Sequence, residues 1–212
     1  MNTKATPNDA IIGTLRTAFS ESDGIATVRL RSKLTSEAQR DGLLDVTYRT
    51  VDSPIGSLLL TATEVGLVRV AFECEDHDAV LTDLAQMISP RIMFSSGRFD
   101  SVCRQLDEYF DRARDRFDLP VDFRLAKGFR RDVLGQLAEI PYGRTASYGD
   151  LARLAGKPAA IRAAASACSH NPLPIVIPCH RIIKSDGTIG KYLGGVEAKQ
   201  LLLTLEQPTN RR

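Results

Sequence analysis

Pro178-Cys179-His180-Arg181 sets a thiol beside an imidazole and a guanidinium. A thiol is a strong nucleophile only as the thiolate, and its free pKa of about 8.5 falls next to His, Lys or Arg. The preceding Pro174-Ile175-Val176-Ile177 has the apolar pattern of a short buried strand, which predicts a reactive cysteine at a strand end. Adjacent residues of a strand face opposite ways, so His180 reaches Cys179 only if the chain bends there or a water bridges them. The same pattern also fits a buried structural thiol, and local chemistry does not separate the two readings. The other cysteines (Cys74, Cys103, Cys168) are scattered, and the three histidines (His77, His170, His180) lack ligand spacing with them, so no metal site is predicted.

Mostly helical elements must hold that segment. Gly128 to Ile140 carries Phe129, Val133, Leu134 and Leu137 at helical spacing and stops at Pro141-Tyr142-Gly143. Ser147 caps a predicted short helix over Tyr148 to Leu154, and Gly156-Lys157-Pro158 forms a turn. A second helix is predicted from Ala159 to Ser169, with Pro158 just before it; it holds six alanines and one long cation, Arg162. Two short helices about a Gly-containing turn are the layout of a helix-turn-helix, and equally of an ordinary packed pair with a surface arginine. A last helix runs from Val196 to Glu206.

The first half reads differently. Val46 to Val51 and Ser57 to Ala62 alternate as strands around the turn Ser53-Pro54-Ile55-Gly56, and Leu67 to Phe72 completes an antiparallel meander. Helical periods follow at about 77–88 and 99–113, the second with Val102, Leu106, Tyr109 and Phe110 on one face. Phe117 to Phe123 is read as a crossing between two domains. Residues 1–45 carry only two weak amphipathic stretches, Ala10 to Phe19 and Ser36 to Leu44, and form an extension of unknown role. The expected division is 1–45, 46–125 and 126–212.

Composition is that of a soluble globular protein, 43% hydrophobic and 25% charged. No apolar run approaches the roughly 18 residues that span a bilayer, and no secretory pattern is present, so a cytoplasmic address is expected. The net charge of +2 hides an asymmetry: residues 126–212 hold 13 Lys/Arg against 6 Asp/Glu, and residues 1–125 hold 15 against 20. A basic second half suits a polyanionic partner.

Asn171-Pro-Leu-Pro-Ile-Val-Ile-Pro-Cys-His-Arg181 closely resembles the active-site signature of the O6-alkylguanine-DNA alkyltransferases, the methylated-DNA–protein-cysteine methyltransferases. Ile140-Pro-Tyr-Gly143, Ser147-Tyr148, Ser185-Asp186-Gly187, Tyr192, Gly194-Gly195, Lys199 and Leu201-Leu202 to Glu206 resemble the family in order and spacing, and Ser53-Pro-Ile-Gly56 resembles the start of its N-terminal domain. The resemblance covers about residues 46–206. It implies an α/β, ribonuclease-H-like N-terminal domain with an antiparallel meander plus helices, then a mainly α C-terminal domain with a winged-helix-type helix-turn-helix.

The resemblance also implies the chemistry. An alkyl group passes from O6-alkylguanine in double-stranded DNA to Cys179, once and irreversibly, with no cofactor and no metal. The helix-turn-helix enters the minor groove, where Ala163 and its alanine neighbours allow close approach and Arg162 replaces the flipped nucleotide in the stack. His180 acts as base through a water, Glu206 orients it, and Tyr148 hydrogen-bonds the guanine. Asn171 holds the active-site loop, and Tyr192 and Ile182 line the base pocket. On sequence alone Glu206 equally fits a solvated helix-end carboxylate, Tyr148 a packed aromatic and Lys199 a surface lysine. The protein is expected to be monomeric. Leu134 stands where the family often has tryptophan, Ala164-Ala165-Ser166 replaces a common Val-Gly pair, and Leu193 replaces a small residue at the expected pocket. A recognition protein that binds alkylated DNA without repairing it is the alternative. Such proteins usually lack the cysteine that is present here.

Overall fold

A computed structural model describes residues 30, 33–35, 37, 38 and 40–208. The chain divides into a unit over residues 1–44 and a second over 45–212. The predicted helix at Ala10 to Phe19 lies outside the described residues. Within the first unit, helical residues run only to Arg40, short of the Ser36 to Leu44 expectation. Leu43 N–H bonds back to the Ala38 carbonyl around Gly42, whose φ of +66° ends the helix.

The second unit begins with a four-stranded sheet. β1 (Val46–Val51), β2 (Leu58–Ala62) and β3 (Leu67–Phe72) form the antiparallel meander. β4 (Ile92–Phe94) adds a parallel strand beside β1, giving the order β3-β2-β1-β4. At the β1–β2 turn Gly56 N–H bonds to the Ser53 carbonyl at 3.1 Å, and Gly56 takes φ +94°. β2 is buried on both faces: Leu58, Leu60 and Ala62 join the main core, while Leu59 meets Val80 and Leu84 of α1 (His77–Met87). α2 (Asp100–Phe110) turns Val102, Leu106 and Tyr109 inward to the main core. Val121 bridges Leu67 on the free edge of β3, so the 117–123 crossing segment is pinned to the sheet.

That core continues without a break into the second half. α3 (Phe129–Ala138) contributes Val133, Leu134 and Leu137, α4 (Tyr148–Leu154) Leu151 and Ala152, and α5 (Ile161–Ser169) Ala164, Ala167 and Cys168. Leu134 is fully buried. Ser147 caps α4 as expected, in a capping box with Asp150. α5 starts two residues later than the sequence suggests. The Ala160 N–H closes a separate turn on the Lys157 carbonyl around Pro158, and the helix begins only beyond it. α6 (Gly195–Leu205) ends the described chain, with Glu206 as its C-cap.

Candidate active site

The strand expected over Pro174 to Ile177 is absent; the segment is a run of turns. Three prolines at 172, 174 and 178 remove the amide donors a strand ladder needs, and a side chain supplies the order instead. Asn171, fully buried, donates Nδ2 to the Ile177 carbonyl at 2.8 Å and accepts the Leu173 N–H at 3.0 Å. The tight path forces Ile175 to φ +72°, which costs a β-branched residue about 1–3 kcal/mol. Burial within the core, not sheet pairing, explains the apolar pattern. From outside, β3 holds the same corner, with Val70 N–H on the Pro172 carbonyl at 2.8 Å and Arg69, ion-paired to Glu75, against the Asn171 carbonyl.

Cys179–Arg181 then forms a single 3-10 turn, so the opposite-faces objection drawn from strand geometry does not apply. A two-residue parallel ladder follows, pairing β5 (Ala146–Ser147) with β6 (Ile182–Ile183). This ladder ties the residues just before Tyr148 to those just after the Cys-His-Arg turn.

Cys179 Sγ accepts a hydrogen bond from Asn171 Nδ2 at 3.1 Å and is 3% exposed. Burial pushes its thiol pKa up to about 11, against the opposing pull of the Asn171 bond and Lys199. Cys179 therefore rests as a thiol, which leaves its ionisation to a base, the part the resemblance implies for His180. Arg181 turns away from the thiol toward Glu206. Arg181 Nε and Nη2 grip Glu206 Oε2 and Oε1 at 2.9 and 2.8 Å, and Nη1 reaches the Ile140 carbonyl.

Glu206 is 2% exposed and receives five donors. Oε1 takes Tyr109 Oη at 2.8 Å, His180 Nε2 at 2.9 Å and Arg181 Nη2; Oε2 takes Arg181 Nε and the Gly143 N–H at 3.1 Å. Burial raises the Glu206 carboxyl, but the bonds and charges of His180 and Arg181 outweigh it and hold the pKa at about 2. Gly143 permits this wrapping, since at φ +69° a Cβ there would lie 2.7 Å from the Glu206 carbonyl oxygen. Glu206 is thus a buried hub and not a solvated helix end.

His180 is fully buried, and burial lowers its pKa despite the opposing pull of Glu206, so the ring rests neutral. An ionised Glu206 only accepts, so Nε2 carries the proton and the lone pair lies at Nδ1. Nδ1 is buried and has no hydrogen-bond partner among the described residues. The sequence thus leads to a neutral imidazole with a free basic nitrogen, one residue from a protonated thiol.

The remaining expected residues fall around this centre. Tyr192 packs edge-on to His180 and to Phe72 of β3, at 6.4 and 5.5 Å between ring centroids, with its hydroxyl buried and unpartnered among the described residues. Tyr148 is half-buried, its pKa raised by burial and by Cys168 and Cys179 nearby, and a Cβ on Gly190 would approach its hydroxyl to 2.9 Å. Ile182 is fully buried. Arg162 and Ala163 are exposed near the start of α5, outside this cluster. Leu193 is partly buried against the main core, and its carbonyl accepts from Cys74 Sγ at 3.4 Å.

Two further residues belong to this centre. Lys199 is no surface lysine: it is 1% exposed, donates Nζ to the Ile182 carbonyl, and has its pKa lowered by burial. The signal was its place with Leu202 and Glu206 on one face of α6. Tyr109 had been placed only on a packing face. Its hydroxyl lies on Glu206, a contact across 97 residues that no local pattern carries.

Two family models match the chain: "6-O-methylguanine DNA methyltransferase, ribonuclease-like domain" over residues 46–123 and "6-O-methylguanine DNA methyltransferase, DNA binding domain" over residues 128–208. A methylated-DNA–protein-cysteine methyltransferase of Mycolicibacterium paratuberculosis is 39% identical over 162 residues, covering 76% of this chain and 93% of that protein. The crystal structure of Mycobacterium tuberculosis O6-methylguanine methyltransferase aligns with TM-score 0.66 and 35% identity, over 78% of this chain and 96% of that one. A Mycobacterium tuberculosis OGT solved in complex with DNA aligns with TM-score 0.63 and 34% identity, over 76% and 92%. With both models matched in order around the buried Cys-His-Glu cluster, the chain belongs to the methylated-DNA–protein-cysteine methyltransferase family.

Proposed function

We propose that this protein repairs DNA by direct reversal, moving the alkyl group of O6-alkylguanine in double-stranded DNA onto Cys179 in a single turnover. The observation that carries this reading is a buried Cys179 one residue from a buried His180 whose Nε2 is engaged by Glu206 and whose Nδ1 has no hydrogen-bond partner among the described residues. A resting thiol must be ionised on demand, and His180 is the base placed to do it. The Cys179 thiol proton passes through a bridging water to His180 Nδ1, and Glu206 stabilises the imidazolium through Nε2. Sulfur then attacks the alkyl carbon in line, the carbon–O6 bond breaks, and guanine leaves with the electron pair. The Tyr148 hydroxyl hydrogen-bonds the departing base as charge builds on it. The thioether has no easy route back, so no cofactor is needed and the protein is consumed.

Asn171 fixes the loop and steadies the developing thiolate, while Tyr192 and Ile182 wall the pocket that takes the flipped base. The exposed Arg162 and Ala163 at the start of α5 enter the minor groove, Arg162 filling the vacated place in the stack. The loop closed by Lys184 N–H on the Thr188 carbonyl is the wing of a winged helix. Residues 46–125 act as a ribonuclease-H-like domain and 126–212 as the DNA-binding and transfer domain of a cytoplasmic monomer. Among the described residues no helix is long and apolar enough to cross a membrane.

Disappearance of O6-methylguanine from a short duplex, followed against protein concentration, tests the reading. One lesion removed per protein, with a second addition of duplex left untouched, is the expected result. Repeated turnover, or lesion binding with no loss of the methyl group, would overturn it.

A further inference from the structure

We propose that Tyr109 is a positioning residue for alkyl transfer, setting the pH at which His180 can take the thiol proton; this rests on the reading of His180 as the base. Tyr109 comes from α2 in the sheet-bearing half, while the other side chains on Glu206 come from the second half. Its ring is wedged between Phe110 and Phe117, at 5.4 and 5.3 Å, with Tyr142 edge-on at 6.2 Å. Locked in this way, the hydroxyl points at Glu206 Oε1 and also lies 3.5 Å from His180 Nε2. Burial and the Glu206 charge push the phenol far above its usual range, so it remains a fixed neutral donor throughout the reaction.

A fixed donor on Oε1 has two effects. It holds the carboxylate in the orientation that accepts from Nε2, which keeps the His180 lone pair at Nδ1. It also disperses negative charge that would otherwise stabilise imidazolium more strongly. The other groups that act on His180 are Lys199 of α6 and Glu206 at its C-cap, Arg181 of its own turn, and Tyr192 from the loop before α6, which packs on the ring. Around Glu206 itself stand Tyr142 and the Gly143 amide. Among these, Tyr109 is a neutral side-chain donor to Oε1 that can be deleted while its ring is kept. Losing it leaves Glu206 a stronger partner for imidazolium, so the His180 pKa rises.

The test is the single-turnover rate of methyl transfer from saturating duplex, measured from about pH 5 to 9. Tyr109→Phe should move the acid limb up by about one pH unit and keep the high-pH plateau. Below the limb this is a loss of up to about tenfold. Leu84→Ala, in the smaller core cluster apart from Tyr109 and Glu206, should lower thermal stability while leaving the limb in place. A Tyr109→Phe limb that coincides with wild type, or a Leu84→Ala limb that moves as far, overturns the proposal. His180→Asn separates the two levels of the argument. A His180→Asn rate equal to wild type overturns the base reading and the Tyr109 proposal with it. A collapsed His180→Asn rate beside an unmoved Tyr109→Phe limb overturns the Tyr109 proposal alone.

Discussion

Glu206→Gln puts the hub to a quantitative test. The carboxylate is held at about 2 against an ordinary 4.5, and at about 1.4 kcal/mol per unit this amounts to about 3 kcal/mol of stability at neutral pH. A second route gives a similar figure. Removing one partner of a buried, hydrogen-bonded ion pair costs about 3–5 kcal/mol, and here Arg181 would remain buried without its counter-charge. The glutamine amide would also point its N–H₂ at the Arg181 guanidinium in either orientation, donor against donor. Because the folded-state pKa is depressed, the stabilisation is fully present above about pH 5 and fades as pH falls toward 2. Asp122 and Asp150 are also held below their usual range, so acid weakens both proteins and only the difference between them isolates Glu206. Urea unfolding of wild type and Glu206→Gln at steps from pH 7 to pH 2.5 measures that difference. A gap of about 3 kcal/mol at pH 7 that narrows steadily with acid is the expected result. A gap below about 1 kcal/mol at pH 7, or one that does not change with pH, would refute the assignment of Glu206 as a buried anionic hub.

Three further outcomes follow from the same geometry. Asn171→Ala strands the Leu173 amide and the Ile177 carbonyl in the core, and should cost about 2–5 kcal/mol in a denaturant melt and slow methyl transfer at every pH. With its pKa near 11, Cys179 is thiolate in roughly one molecule in 10,000 at pH 7. Without DNA, iodoacetamide mapping should therefore find the exposed Cys74 labelled long before Cys179, whose labelling keeps rising beyond pH 9. Arg162→Ala, at an exposed site, should leave stability within about 0.5 kcal/mol and weaken binding or base extrusion in a fluorescence assay on lesion duplex.

The reactive cluster was legible where chemistry is local. Cys179, His180 and the Asn171 corner lie within ten residues, and the helical period that ends at Glu206 can be read directly. The meander was equally plain, because alternating strands joined by a Ser-Pro-Ile-Gly turn have few other ways to fold. What stayed hidden depends on distance along the chain. The parallel pairing of β4 with β1, the Tyr109 donor and the Gly143 amide all arise from tertiary packing. The false strand at 174–177 has a different cause. Apolar residues in a buried coil and in a buried strand read alike, and only the three flanking prolines, with Asn171 ready to replace lost amides, spoke against pairing. Arg181 shows the same limit of sequence: beside Cys179 along the chain, its side chain serves Glu206.

Peptide mapping by mass spectrometry after a single incubation with O6-methylguanine duplex tests the central claim most directly. The account predicts one added methyl, on Cys179 alone, with Cys74, Cys103 and Cys168 unmodified and no transfer to Cys179→Ala. A methyl on another cysteine, or a lesion-bound protein whose peptides all keep their original masses, would contradict it.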